Sequence, residues 1–194
     1  MALVWKIILI ALSFISFLSF AWAIHSHFSN SKQSNENVGM KVIKVLAPFF
    51  FLIQILAMGI SGDVSLLNNL VALLLYLASI SIFWWAVSAT ARHRLSLAFT
   101  TDEPEFILIT GPYRHVRHPF YLAYSLFWIA GVFAGDRLLL AVIPSIMVLI
   151  YYRAASFEEK KFIDSSQLGK DYETYRTKTG ILLPKLLAKR KEFV

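Results

Sequence analysis

The sequence contains no cysteine, which rules out a disulfide framework and any thiolate metal site. Charge is scarce as well. Asp, Glu, Lys and Arg make up 16% of the 194 residues, against about a quarter in soluble domains. There is no His-Glu-x-x-His helix, no Gly-x-Ser-x-Gly elbow and no Gly-x-Gly-x-x-Gly turn, so those zinc-peptidase, serine-hydrolase and dinucleotide fingerprints are absent. No internal repeat or low-complexity tract is visible either. Apolar character is what the chain has in abundance, with 57% hydrophobic residues and a mean hydropathy of +0.60. That balance points to an all-α integral membrane protein, read as a single membrane domain over residues 1–194. A net charge of +7 would suggest nucleic acid as a partner in a soluble protein. Here the placement of the charge carries more information, and the lipid bilayer is the expected partner.

Five segments satisfy the rule of about 20 apolar residues per span: 2–24, 42–60, 66–91, 119–134 and 138–152. Only Gly135, Asp136 and Arg137 join the last two, so they form an antiparallel hairpin. Five spans put 17 of the 19 Lys and Arg residues on one side, leaving Lys6 and Arg137 on the other. The positive-inside rule then puts the C-terminal tail in the cytoplasm and the N-terminus outside. Lys6, the first apolar run and Ala21-Trp22-Ala23 also resemble a cleavable secretory signal. Cleavage would turn the basic loops outward, so an uncleaved span is expected. The Ser/Asn-rich stretch from His25 to Gly39 reads as a surface loop, with His25 and His27 as plain interfacial residues. After Tyr152 the tail is charged but keeps regular apolar content, which suits one or two cytoplasmic helices. Its end, Ile181 to Phe193, fits either the lipid headgroup surface or a solvated basic terminus.

Polar chemistry gathers at two places on the basic side, Thr110 to Tyr121 and Phe157 to Tyr175. Gly111-Pro112 marks a turn, and Pro119 suits the first position of a helix. Residues Tyr113 to His118 therefore precede a helix N-terminus, where free backbone N–H groups receive anions. Arg114, Arg117, His115 and His118 add side-chain donors. Membrane topology alone accounts for Arg114, but less well for the two histidines and for Tyr113, Tyr121 and Tyr124. The hairpin returns Glu158 and Glu159 to this cluster, either as part of a functional site or as a structural ion pair. Tyr172 and Tyr175, spaced i, i+3, present one helical face that can close over the region. Arg117 between the two histidines repels a cation, so no metal is expected.

The stretch "GPYRHVRHPFYLAY", followed by "FEEKKF" and "YETYR", resembles the isoprenylcysteine carboxyl methyltransferase family. Phospholipid N-methyltransferases and membrane sterol reductases carry a similar region. The resemblance covers about Gly111 to Arg176, within the region 110–176 that holds the chemistry, and Ala123 stands where the family usually has Gly. The resemblance implies S-adenosylmethionine bound between the fourth and fifth helices and the tail, with S-adenosylhomocysteine as product. By position, Tyr113, His115, Val116, His118, Pro119, Tyr121, Leu122 and Glu159 would line the cofactor pocket. The implied reaction is methyl transfer to the carboxylate of a lipophilic, prenyl-cysteine-like substrate, with Arg117 aiming the carboxylate. Such a nucleophile is already ionised and needs no base. The alternatives are an amine acceptor, for which Glu158 or His118 would serve as base, then a nicotinamide-dependent reductase, then a non-catalytic scaffold or transporter. The last would place polar residues at mid-membrane depth, where the spans offer only Gln54 and a few serines.

Overall fold

A computed structural model of the chain describes residues 2–28, 38–91 and 104–185. Six α-helices account for most of them: α1 (Ala2–Trp22), α2 (Val38–Ile60), α3 (Leu66–Thr90), α4 (Pro119–Gly135), α5 (Val142–Asp164) and α6 (Gly169–Lys178). The first three and the segment through α5 are long and apolar enough to cross a membrane, whereas α4 is apolar but shorter. The large side chains on the bundle's outside are hydrophobic, among them Leu3, Ile7, Leu18, Val45, Leu52 and Leu74. A lipid environment requires that pattern. Lys6, the one charge inside the first apolar run, reaches sideways to the end of α2. Its ammonium donates to the carbonyls of Ser61 at 2.8 Å and Gly59 at 3.2 Å, which closes off carbonyls that the helix end leaves unpaired.

Most of the expected boundaries hold to within a few residues, with two corrections. The fifth helix does not stop at Tyr152 but runs on to Asp164. Nothing between Arg153 and Asp164 breaks a helix, and Ala154, Ala155, Glu158, Glu159, Lys160 and Lys161 all favour one. Glu158 and Glu159 are therefore carried on α5 itself, which fixes their direction. The second correction concerns His27. It sits in a π-helical turn, Ala23–His27, that continues α1. It is buried, and its Nε2 lies 2.6 Å from Thr90 Oγ1. The Thr90 hydroxyl donates to backbone carbonyls of its own helix, so the imidazole N–H is the donor of this pair.

Although the shortest of the apolar helices, α4 is the middle of the bundle, packing on α3 and also on α1, α2 and α5. Its small residues Ala123, Ala130, Gly131 and Ala134 permit close backbone approach. Ser79 of α3 donates to the Ala123 carbonyl at 2.7 Å. Gln54 of α2 is 2% exposed and donates to the Tyr76 hydroxyl at 2.8 Å, with its amide resting against the Gly131 backbone. The helix starts at Pro119 and ends where Asp136 takes the left-handed conformation at φ 48°. Asn68 holds that corner through the Asp136 carboxylate at 2.7 Å, and a 3-10 turn, Leu138–Ala141, leads into α5.

A Cβ at position 131 would overlap the Gln54 amide. Gly131→Ala is therefore expected to lower stability by about 1–3 kcal/mol, read as a lower thermal midpoint in detergent. In the Gly131→Ala background, Gln54→Ala should cost less than it does alone, the signature of coupled neighbours.

Candidate functional site

The site is assembled around the turn that precedes α4. Gly111 adopts φ +59°, and a Cβ there would lie 2.9 Å from the Ala89 side chain, so glycine is the residue this corner accepts. A 3-10 turn, Gly111–Arg114, follows and buries Tyr113. Val116 then pairs in a parallel bridge with Gly180. The Arg117 N–H donates to the Gly180 carbonyl at 2.9 Å and the His118 N–H to the Ile181 carbonyl at 3.1 Å. These bonds correct the expectation that the N–H groups here are all free for an anion, because the chain after α6 already occupies two of them. The Tyr175 hydroxyl fastens α6 to the same turn by donating to the Tyr113 carbonyl at 2.6 Å.

An ionic cluster fills the junction. Arg117 Nε donates to Glu159 Oε1 at 2.7 Å, and both side chains are more than nine-tenths buried. Arg117 Nη1 donates to the Thr179 carbonyl and, at 3.4 Å, to that of Arg176. Arg176 Nε lies 3.3 Å from Glu159 Oε2. His118 lies between the two carboxylates, with Nε2 at 3.3 Å from Glu159 and Nδ1 at 3.4 Å from Glu158. Burial alone would push this imidazole toward neutrality. The hydrogen bonds and negative charges of Glu158 and Glu159 outweigh it and raise the pKa above the ordinary histidine value. Successive residues on a helix point about 100° apart. Glu159 therefore faces the arginines while Glu158 faces a cavity, where it accepts a hydrogen bond from the Tyr121 hydroxyl.

That cavity has a volume of about 650 Å³, within the roughly 300–1,000 Å³ typical of small-molecule sites. One end is polar, walled by Tyr113, His118, Tyr121, Glu158, Tyr172 and Tyr175. The other is apolar and reaches between α1 and α2, past Phe17, Phe20, Ile43 and Ala47, to Trp128 of α4. Extended chain from Pro104 to Leu108 forms another wall, and His25, Lys44, Glu105 and Lys161 also contribute. The Tyr113 hydroxyl is buried without a hydrogen-bond partner. Burial, then the charge of Glu158, pushes the Tyr113 phenol well up, and burial also raises Tyr172 and Tyr175. Among the described residues no group of three or more His, Cys, Asp or Glu side chains converges as a metal site would require.

Of the residues singled out in the sequence, Tyr113, Arg117, His118, Pro119, Tyr121 and Glu158 line this cavity. Tyr172 and Tyr175 close over it as their spacing suggested. His115, Val116, Leu122 and Glu159 are not part of its wall. His115 is exposed and leans toward Trp85, with ring centroids 6.0 Å apart. Val116 is buried in the bridge to Gly180, and Glu159 is enclosed by Arg117, His118 and Arg176. Arg117 is committed to Glu159 and to backbone carbonyls, so its guanidinium is a strut in the junction, contrary to the expectation of a guanidinium held out to a substrate carboxylate. The reading of the sequence missed the α1 and α2 side chains of the apolar end, the 104–108 wall, and Tyr151 and Trp128. Trp128 Nε1 donates to the Tyr151 hydroxyl at 3.0 Å. Hydropathy marks the helical ones simply as membrane residues, and the 104–108 stretch falls outside every apolar run. Arg92, Arg94 and the last part of the basic tail lie outside the described residues.

No protein-family model matches the chain. It is similar to the methanethiol S-methyltransferase of Pseudomonas sp. (strain GM41(2012)), with 36% identity over 74 residues, covering 38% of this chain and 26% of that protein. Methanethiol S-methyltransferase 2 of Bradyrhizobium diazoefficiens is 34% identical over 80 residues, 41% of this chain and 29% of that protein. Methanethiol S-methyltransferase 1 of the same organism is 33% identical over 73 residues, 37% and 24% of the two chains. The matched stretch thus spans about a quarter of the length of these curated relatives.

Two outcomes are expected from this geometry. Arg117→Ala leaves Glu159 buried without its main partner, a loss of about 3–5 kcal/mol. Limited trypsin digestion should then cut within α6 much sooner than in the wild type, while Arg117→Lys should be intermediate. The raised His118 pKa also has a definite sign. Its stabilising contribution is complete below the ordinary value of about 6.5 and is lost as pH rises through the raised value. The thermal midpoint of the wild type should therefore decline over that interval, and His118→Gln should remove the decline.

Proposed function

We propose that the chain is a membrane methyltransferase that uses S-adenosylmethionine and acts on a lipophilic acceptor. The observation that carries this reading is the single cavity with one polar, phenol-lined end and one apolar end between membrane helices. The similarity to named S-methyltransferases supports it. So does the motif resemblance, which assigns Tyr113, His118, Pro119 and Tyr121 to a cofactor pocket.

The side chains at the polar end suit such a cofactor. The buried, unpartnered Tyr113 hydroxyl is a hydrogen-bond donor awaiting an acceptor, since leaving it unpaired is costly. Neutral phenols at Tyr172 and Tyr175 offer aromatic faces to a flat base or a cationic sulfur. The imidazolium of His118 favours a negatively charged group. When bound, the cofactor supplies an electrophilic methyl group on a sulfonium. The chain holds the acceptor's apolar body against Phe17, Phe20 and Trp128, so that its reactive head meets the polar end. It excludes bulk water with α6 and makes the encounter intramolecular, a large part of the rate in such transfers. The excess of Lys and Arg on one side supports a cytoplasmic tail, a route for a soluble cofactor, while the acceptor arrives through the bilayer.

Two acceptor atoms compete. The motif resemblance implies a prenyl-cysteine-like carboxylate, whereas the relatives are named for a thiol. The commitment of Arg117 to Glu159, Thr179 and Arg176 favours the thiol, because the guanidinium proposed to aim a carboxylate is already paired.

Calorimetry on the detergent-solubilised chain should show saturable binding of S-adenosylhomocysteine. Tyr113→Phe should weaken it roughly fivefold or more, the value of about one hydrogen bond, with little change in thermal midpoint. Binding of a nicotinamide dinucleotide in its place would sink the methyltransferase reading.

A further inference from the structure

We propose that Tyr121 and Glu158 form a proton relay that serves a protic acceptor, a lipophilic thiol, rather than a pre-ionised carboxylate. This inference rests on the methyl-transfer reading above. The Tyr121 phenol lines the cavity and donates to Glu158 Oε1 at 2.5 Å. Its ring is held on both sides, stacked on Tyr151 at 5.6 Å with a 6° interplanar angle and beside His118 at 5.6 Å and 17°. The hydroxyl is thereby fixed with its proton committed to Glu158 and an oxygen lone pair left to accept a hydrogen from a bound ligand.

Other candidate bases are less suited. Both ring nitrogens of His118 face carboxylates, which favours the imidazolium. Glu159 is enclosed by two arginines and is not part of the cavity wall. Glu105 and His25 are exposed residues of the wall. Glu158 combines a place on the cavity with a side chain 26% open to water, so it has a route for passing a proton on. Its negative charge also opposes an anionic acceptor bound beside it, whereas a neutral thiol meets no such penalty.

The acceptor's sulfur forms a bond to the methyl carbon as the methyl–sulfonium bond breaks. The S–H proton passes to the Tyr121 oxygen, and the Tyr121 proton passes to Glu158. One positive and one negative charge disappear together, leaving a neutral thioether, neutral S-adenosylhomocysteine and protonated Glu158, which releases its proton to water. The titratable groups around Glu158 are Tyr121, Tyr124 and His118 at α4, Tyr113 before it, Tyr172 on α6 and its neighbour Glu159 on α5, with Lys161 on the same cavity wall.

The test compares octanethiol, protonated at neutral pH, with 4-nitrothiophenol, which is already a thiolate, using the full chain in detergent. Glu158→Gln and Tyr121→Phe should each cut kcat/KM for octanethiol by roughly 100-fold or more, the usual range for loss of a general base. For 4-nitrothiophenol the loss should stay below roughly tenfold, since no proton transfer remains to be catalysed. Alkaline pH should restore octanethiol turnover in both variants, and S-adenosylhomocysteine should still bind saturably. Equal losses on both thiols would overturn the relay, as would a wild type that methylates a lipophilic carboxylate faster than octanethiol. Failure of the wild type to bind S-adenosylhomocysteine would instead remove the methyl-transfer reading itself, and the relay with it.

Discussion

The buried pair between Arg117 and Glu159 is the interaction on which the junction depends. Removing two charges from water carries a large desolvation cost, and the pair persists only because each partner is otherwise well satisfied. The guanidinium also donates to the carbonyls of Thr179 and Arg176, and the carboxylate is approached by His118 and Arg176. Four pieces of chain therefore meet at one point: the turn before α4, α5, α6 and the segment after it. None of them can shift without leaving a charge unpaired. That constraint keeps Tyr172 and Tyr175 over the cavity, where a helix as short and polar as α6 would gain little from propensity alone.

Beneath the junction, the bundle gives the cavity a firm floor. Because α4 carries alanine and glycine where its neighbours press closest, α3 and α2 can approach its backbone. The Ser79 and Gln54 side chains then fix the register of those neighbours. The aromatic side chains Phe20, Phe83, Phe120, Tyr124 and Phe127 interlock around it, with centroids about 5 to 6 Å apart. A floor built this way holds Trp128 and Tyr121 at defined depths, one at the apolar end of the cavity and the other beside the Glu158 carboxylate.

The sequence made much of this legible, for identifiable reasons. Long apolar runs admit few alternatives, so helix existence and order could be read directly. The three-residue link from Gly135 to Arg137 left little freedom in the return of α5, which made the meeting of Glu158 with Tyr121 and His118 foreseeable. The use of the donors was not legible. Whether the N–H groups before α4 face a ligand or the carbonyls of Gly180 and Ile181 depends on a pairing between distant segments, and no local pattern encodes it. Similarly, the resemblance put Glu159 in the cofactor pocket and left Glu158 as a candidate base, and no local pattern says which of the two faces the cavity. Only a continuous helix through both separates them, turning one to the arginines and the other to the cavity. The α1 and α2 wall escaped notice because a lipid-facing residue and a cavity-facing residue have the same composition.

The bridge between Val116 and Gly180 also bears on biosynthesis. Arg117 finds its carbonyl partner 62 residues further along the chain. The chain is made in order, so Arg117 and the turn before α4 exist well before that partner has been made. During that interval the helices that form the apolar end of the cavity exist, while α6, which covers its polar end, does not. The unfinished bundle is therefore a greasy vessel open at the top, unable to enclose a polar ligand. Arrival of α6 and the segment after it turns it into a closed chamber, so enclosure comes as one late event in the assembly of the fold.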